Sequence, residues 1–365
     1  DRSVSRGLGD VYKRQILRFI FIWCVIICHA NIKELSLRGG WLGVEFFFIL
    51  SGFFMGNALN EDRHAEYKNE DVSVTIRATW KYLFHRIKAV FPYLIVSMII
   101  GMGVWAYSNN WNFSYIKSYV CYVLNDILFL QSWGYPSASI CGVMWYLSSL
   151  FFATIFLYPI VRRKYKLYTL YFAPLLAVIF IGILIKNFST LNAIDTYMWG
   201  IINAGNLRAI AMMSIGLFIS GVNNYFQKQM LNVKYKYFLY VMEIVSYLFV
   251  FFYMASWSEQ TSIFDEYAVF ALGIGMAITL SGKGVLNDRF NNKICFFLGK
   301  WSVALFLGHF YWTYNIQNFA QRIGIHGSTY RIQMLGLLII CVNSLFILWC
   351  VRIVKFIWKS VYNNN

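Results

Sequence analysis

Arg18 and His29 stand eleven residues apart in the first long apolar run of the chain, and Glu45 lies early in the second, GGWLGVEFFFILSGFF. Ionisable side chains inside apolar runs are costly to place in a membrane and are usually functional. If 16–32 is helical, eleven steps of ~100° come within about 20° of three full turns, so both side chains share one face roughly 16 Å apart. An imidazole at one end of that face can serve as a general base, and a guanidinium at the other can hold an anion. A long, thin ligand with an anionic head would lie along it. Only the short loop 32–40 joins the two runs, which predicts a helical hairpin with His29 and Glu45 at similar depth. A carboxylate beside an imidazole orients it and stabilises its protonated form, so Glu45 is the expected partner of His29. Arg86, Arg208 and His309, in or at the edge of later runs, are candidate substrate-binding groups. Plainer roles compete with each: snorkelling for Arg18, loop or interface charge for Arg86 and Arg208, packing for His309. Glu243 and Lys300 read as a structural ion pair.

These residues need elements to carry them, and composition says what kind. Of 365 residues 59% are hydrophobic and 13% charged, with a mean hydropathy of +0.54. That charged share is about half of what an ordinary globular domain carries. It excludes a disordered chain and disfavours a water-soluble enzyme. The runs are continuous rather than alternating, which excludes an outer-membrane barrel. The expected fold is an all-α polytopic membrane protein. Ten spans are expected, at about 16–32, 41–59, 89–107, 143–161, 167–185, 207–222, 237–256, 266–281, 295–314 and 333–351. The weaker run 115–133, with Lys117, Asn125 and Asp126, is expected to lie at the outer surface. With that assignment and both termini cytoplasmic, 19 Lys and Arg fall inside and 6 outside, as the positive-inside rule requires. The net charge of +16 therefore reflects cytoplasmic loops and implies no nucleic-acid partner.

The first fifteen residues, DRSVSRGLGDVYKRQ, read as foreign and resemble a translated sequencing adapter. The remainder divides into a membrane domain over 16–358 and a short cytoplasmic tail, 359–365, with no further domain expected. The seven Cys form no CxxC pair, and no metal site is signalled. Cys121 and Cys141 share one outer segment, where the surroundings are oxidising, so a disulfide between them is expected. Ten aromatic residues between Trp105 and Tyr135 fit an interfacial belt better than a sugar-stacking platform.

Arg18-x10-His29 followed by GVEFFFILSGFF resembles the integral-membrane acyltransferase family 3. Later segments agree in order: HRIKAVFPYL, MWYLSSLFFATIFLYPIV, RAIAMMSIGLF and LGKWSVALFLGHFYW. The resemblance covers essentially all of 16–351. It implies transfer of an acyl group, commonly acetyl, from cytoplasmic acyl-CoA to a hydroxyl of a cell-surface or lipid-linked glycan. It also implies an integral protein of the bacterial cytoplasmic membrane, with membrane lipid around it and acyl-CoA as co-substrate. Arg18 matches the family's donor-handling Arg, His29 its proposed catalytic residue, and Arg86 a basic position before the Pro92-Tyr93 element. The chain departs from many members at Ala89, where they carry a second Arg, and from one branch at Ser148 and Ser149, where it carries acids. A non-catalytic transporter or flippase of a lipid-linked glycan is the rival expectation. It too would place His, Glu and Arg inside the membrane.

Overall fold

The computed structural model describes residues 2–32, 35, 37–60, 67, 70–194, 196–198, 200–226, 233–285 and 293–362. Five of the counted loop charges, Lys33, Arg63, Lys68, Lys228 and Arg289, lie outside the described residues, as does the end of the tail, 363–365.

The chain folds into helices α1 (Arg2–Ala30), α2 (Leu42–Ala58), α3 (Val72–Ser108), α4 (Phe113–Ile127), α5 (Met144–Arg163) and α6 (Tyr165–Phe188). After a two-stranded hairpin, β1 (Tyr197–Met198) and β2 (Ile202–Asn203), come α7 (Ala204–Phe226), α8 (Val233–Ser256) and α9 (Asp265–Leu280). The last three are α10 (Lys293–Gly308), α11 (Phe310–Arg322) and α12 (Thr329–Tyr362). An all-helical fold follows from the apolar runs, because a helix satisfies its own backbone polar groups where lipid offers no partner. Among the described residues eight helices are long and apolar enough to cross a membrane. A ninth span forms if α10 and α11, bent by 57° at His309, count as one. The first expected span is a shorter apolar stretch, Gln15–Ala30, continuous with helical backbone from Arg2. α4, at 15 residues, is too short to belong to the set.

Residues 72–88, expected as loop from their charge, are the first half of α3. The Asp71 carboxylate caps this helix by accepting from the Val72 N–H at 2.7 Å. Thirty-seven residues rise ~55 Å, well beyond the ~30 Å hydrocarbon core, so the basic end projects out of the lipid. Charge reports position relative to the bilayer, not backbone conformation. At that end Arg162 donates to Glu70 through Nε and Nη2, both at 2.7 Å, and Arg163 donates to the Glu70 carbonyl at 2.9 Å. The Arg162 bonds hold the Glu70 carboxyl below the usual carboxylate range. This clamp ties the end of α5 to the start of α3.

The centre of the bundle is α2 against α7. Gly52 on α2 and Gly216 on α7 bring the two backbones together: a Cβ at Gly52 would overlap the Met213 carbonyl, and one at Gly216 the Ile49 carbonyl. Small residues at such a crossing allow the close approach on which intramembrane packing depends. The expected hairpin of α1 and α2 is present, its rings Phe21 and Phe46 stacked at 4.4 Å. α3, α6, α8 and α12 form the periphery and expose apolar side chains such as Ile99, Val178, Phe252 and Leu338.

α4 lies at the His29 end of the bundle, held by its polar groups. The Tyr119 hydroxyl donates to the Ala138 carbonyl at 2.8 Å, and the Asn125 amide to the Pro136 carbonyl at 2.9 Å. Asp126 is buried and accepts from the Ser137 hydroxyl; burial pushes its carboxyl up to about 6. The aromatic residues here pack on one another, with Trp111 4.9 Å from both Tyr115 and Tyr119.

Two expectations are corrected. Cys121 and Cys141 are both free, because α4 turns Cys121 to the surface while Cys141 is sealed in the core. Glu243 does not pair with Lys300. It accepts from the Thr279 hydroxyl and the Val285 N–H, while the Lys300 ammonium sits over the Phe296 ring at 4.2 Å.

Candidate functional site

A cavity of about 250 Å³ opens among α1, α2, α3, α5 and α10. Its polar groups come from five helices: Arg18, Ser51, Arg86, Tyr146 and Ser302. The rest of the wall is aliphatic and aromatic. Arg18 and Arg86, 68 positions apart in the chain, thus face one space, as their shared candidacy for a donor site required. Arg18 is partly buried and lies 3.4 Å from the Gln15 carboxamide, a weak tether. Arg86 is steadied by the Tyr82 ring, 5.1 Å from its guanidinium. Two cations at an otherwise apolar cleft suit a ligand with anionic groups and a slender uncharged arm.

His29 does not line this cavity. It lies toward the other end of α1, half-buried, its Nδ1 3.3 Å from Nε2 of His309. The two rings are 5.3 Å apart at their centroids, and Phe310 meets His29 edge-on at 5.9 Å. The bend between α10 and α11 creates the second histidine's setting. His309 Nδ1 lies 3.1 Å from the Leu305 carbonyl and 2.9 Å from the Phe306 carbonyl. Carbonyls only accept, so Nδ1 carries the hydrogen. In a neutral ring Nε2 is then the acceptor, and the hydrogen between the two imidazoles belongs to His29 Nδ1. His29 Nε2 is left with its lone pair. That is the tautomer a general base needs, fixed here by an imidazole where a carboxylate was expected.

Glu45 is not that carboxylate. It is fully buried and forms an ion pair with Nε of Arg208, which is also fully buried. The guanidinium lies between the rings of Trp41 and Trp145, at 5.0 and 5.2 Å. Arg208 therefore sits neither at an interface nor in the cavity; it joins α7 to α2. The reasons are depth and azimuth. Along the hairpin Gly40 meets Cys24 and Cys28, and Gly43 meets Phe21 and Val25, so Glu45 lies level with the middle of the apolar stretch of α1, about two turns from His29, and it points from the face of α2 that packs on α7.

Ser148 and Ser149, following Trp145-Tyr146-Leu147, are both buried outside the cavity. The Ser148 hydroxyl donates to the Phe129 carbonyl and accepts from Ser132, so it secures the loop before α5 rather than facing the cavity. Tyr146, Ser51, Phe47 and Phe306 are cavity residues that sequence reasoning did not single out. All four stood inside quoted motifs, but nothing in their type distinguished them from packing residues. Among the described residues no cluster of three or more His, Cys, Asp or Glu could hold a metal ion.

A family model described as an acyltransferase domain matches residues 15–353. Comparison with curated proteins and with solved structures found no match.

Proposed function

The chain belongs to acyltransferase family 3 and is an integral-membrane acyltransferase; from that premise we propose that it moves an acyl group, in the first instance acetyl, from cytoplasmic acyl-CoA to a hydroxyl of a cell-surface or lipid-linked glycan. The observation that carries this reading is the pairing of a two-arginine cavity with a histidine pair reached through the same two helices, α1 and α10. Arg18 and Arg86 would hold the donor's phosphates or the polar atoms of its arm. His29 Nε2 would take the proton of the acceptor hydroxyl as its oxygen attacks the thioester carbonyl. A C–O bond forms, the C–S bond breaks, and the departing thiolate takes the proton from His29 to leave as the free thiol. A positioned base of this kind is worth ~10²–10⁴-fold. His309 is a positioning residue in this scheme, since it touches the base and not the substrate. No role is proposed for Glu45 or Arg208 in the chemistry.

The test is release of coenzyme A from acetyl-CoA by purified protein in lipid discs. Arg18→Ala should raise the KM for acetyl-CoA about 10–100-fold with a smaller change in kcat, the loss of one or two charge-assisted hydrogen bonds. A wild-type protein that binds no acyl-CoA would overturn the reading in favour of glycan transport.

The same reading needs an orientation. We place both termini, and the Arg18 end of the bundle, on the cytoplasmic side of a bacterial inner membrane, on the 19-to-6 division of basic residues. Single cysteines replacing Lys164 and Gln260 in a Cys-free variant should then differ. Only the second should react with an impermeant reagent in intact cells. Reaction of both would overturn the orientation.

A further inference from the structure

Three aromatic rings close the cavity at the end nearer the histidines. Phe306 lies 5.3 Å from Tyr146 and 6.0 Å from Phe47, and Phe47 and Tyr146 meet at 6.5 Å. All three line the cavity, yet neither histidine does. On its far side the Phe306 ring is 6.4 Å from the His309 ring. The Phe306 carbonyl is also one of the two that fix the His309 hydrogen. One residue thus borders the donor cavity with its side chain and the histidine pair with both side chain and backbone. A thioester that enters past Arg18 meets these rings before it meets a base.

We infer that Phe306, with Phe47 and Tyr146, is the partition between the donor cavity and the histidine pair, and that it sets the length of acyl chain the protein transfers. This rests on the donor reading above. The carbonyl carbon must come within reach of the hydroxyl that His29 deprotonates, so the acyl tail has to lodge at or beyond the rings. Interiors are close-packed, and a wall of three interlocked rings yields little space. A short acyl group passes with a modest turn of one ring; a long chain requires space the rings already fill. Each further methylene against such a wall costs roughly 10–200-fold in discrimination. The rings also separate the cavity from the histidine end, so removing one should let water from that end compete with the acceptor.

The experiment compares acetyl-CoA with octanoyl-CoA, whose chain is six methylenes longer, as donors for wild type, Phe306→Leu and Phe306→Ala. Coenzyme A release is measured with and without acceptor. Phe306→Ala should raise the octanoyl-to-acetyl ratio of kcat/KM at least 10-fold and increase acceptor-independent release. Phe306→Leu, which preserves more of the packing, should lie between and decides the matter if the alanine variant does not fold. A ratio within twofold of wild type in every folded variant, with His29-dependent acetyl transfer intact, would overturn the partition and leave the donor reading standing. Wild-type protein that turns over neither donor would overturn the donor reading and the partition with it.

Discussion

His29→Ala should abolish acyl transfer while acyl-CoA still binds. The expected loss is ~10²–10⁴-fold in the chemical step, the usual worth of a positioned general base. Binding should persist because the cavity that holds Arg18 and Arg86 excludes His29. Single-turnover transfer and equilibrium donor binding, measured separately, check both halves. The His309 variants give the argument its resolution. His309→Ala removes the acceptor from His29 Nδ1–H and should lower kcat by less than His29→Ala. Its pH–rate profile should shift as well, since His29 loses the His309 ring and is left with the Val25 backbone as a hydrogen-bond partner. His309→Gln, whose side-chain oxygen can accept the same hydrogen, should recover part of the loss. A His309→Ala protein with wild-type kcat and pH profile would show that the histidine contact is packing alone. Full transfer by a well-folded His29→Ala protein would remove the base from the mechanism.

Glu45→Ala should be the most damaging single substitution to stability. Breaking a buried ion pair from one side costs about 3–5 kcal/mol, because the remaining charge stays buried without compensation. Here both partners are fully buried, and neither Nη of Arg208 has a hydrogen-bond partner to fall back on. Replacing both, as Glu45→Leu with Arg208→Met, should restore most of the loss, since well-packed apolar side chains of similar volume often do as well as a buried pair. Equilibrium unfolding in mixed micelles measures the three proteins. A Glu45→Ala protein of wild-type stability and no activity would return Glu45 to the catalytic account.

Those two experiments fall on the line between what was legible in the sequence and what was not. Depth was legible. Runs of apolar residues fix which stretches enter lipid, and counting along a helix of known rise placed Arg18 and His29 at separate levels on one face. The structure keeps that separation, with Arg18 in the cavity and His29 beyond it. The direction in which a side chain points around the bundle axis was not legible from hydropathy, which is blind to rotation. Glu45 was matched to His29 by counting from the ends of the two runs, but the hairpin packs it level with the middle of the apolar stretch of α1, and rotation turns it to Arg208. A signal for it existed. Glu45 and Gly52 are seven residues apart and so within ~20° of one another on α2. Gly52 marks the face that another helix approaches, and a carboxylate on that face is committed to that neighbour. His309 was visible as a candidate, but its setting depends on the bend between α10 and α11, and no proline announces that bend. The run 115–133, read as too polar to span because of Lys117 and Asp126, folds as a helix of only 15 residues, Phe113–Ile127, too short to count among the spans. The disulfide failed because shared location says nothing of distance.

The Glu45–Arg208 pair joins residues 163 positions apart, and that interval has a meaning during synthesis. At about 5–20 residues per second the ribosome needs roughly 8–30 s to deliver α7 after α2. For all that time α2 must reside in the bilayer with an acid and no base to answer it. A charged residue costs at most roughly 2.5–3.5 kcal/mol on insertion scales, the value for a helix centre, and less in the first turn of α2 where Glu45 stands, while each Leu, Ile, Phe or Val returns about 0.3–0.6. Phe46, Phe47, Phe48, Ile49, Leu50, Phe53 and Phe54, all within nine residues of Glu45, are enough to offset that cost. The crowding of phenylalanine along α2 thus serves nascent-chain insertion as well as the folded core. A variant that thinned those rings while sparing the final packing should insert less efficiently, a loss incurred before Arg208 has been made.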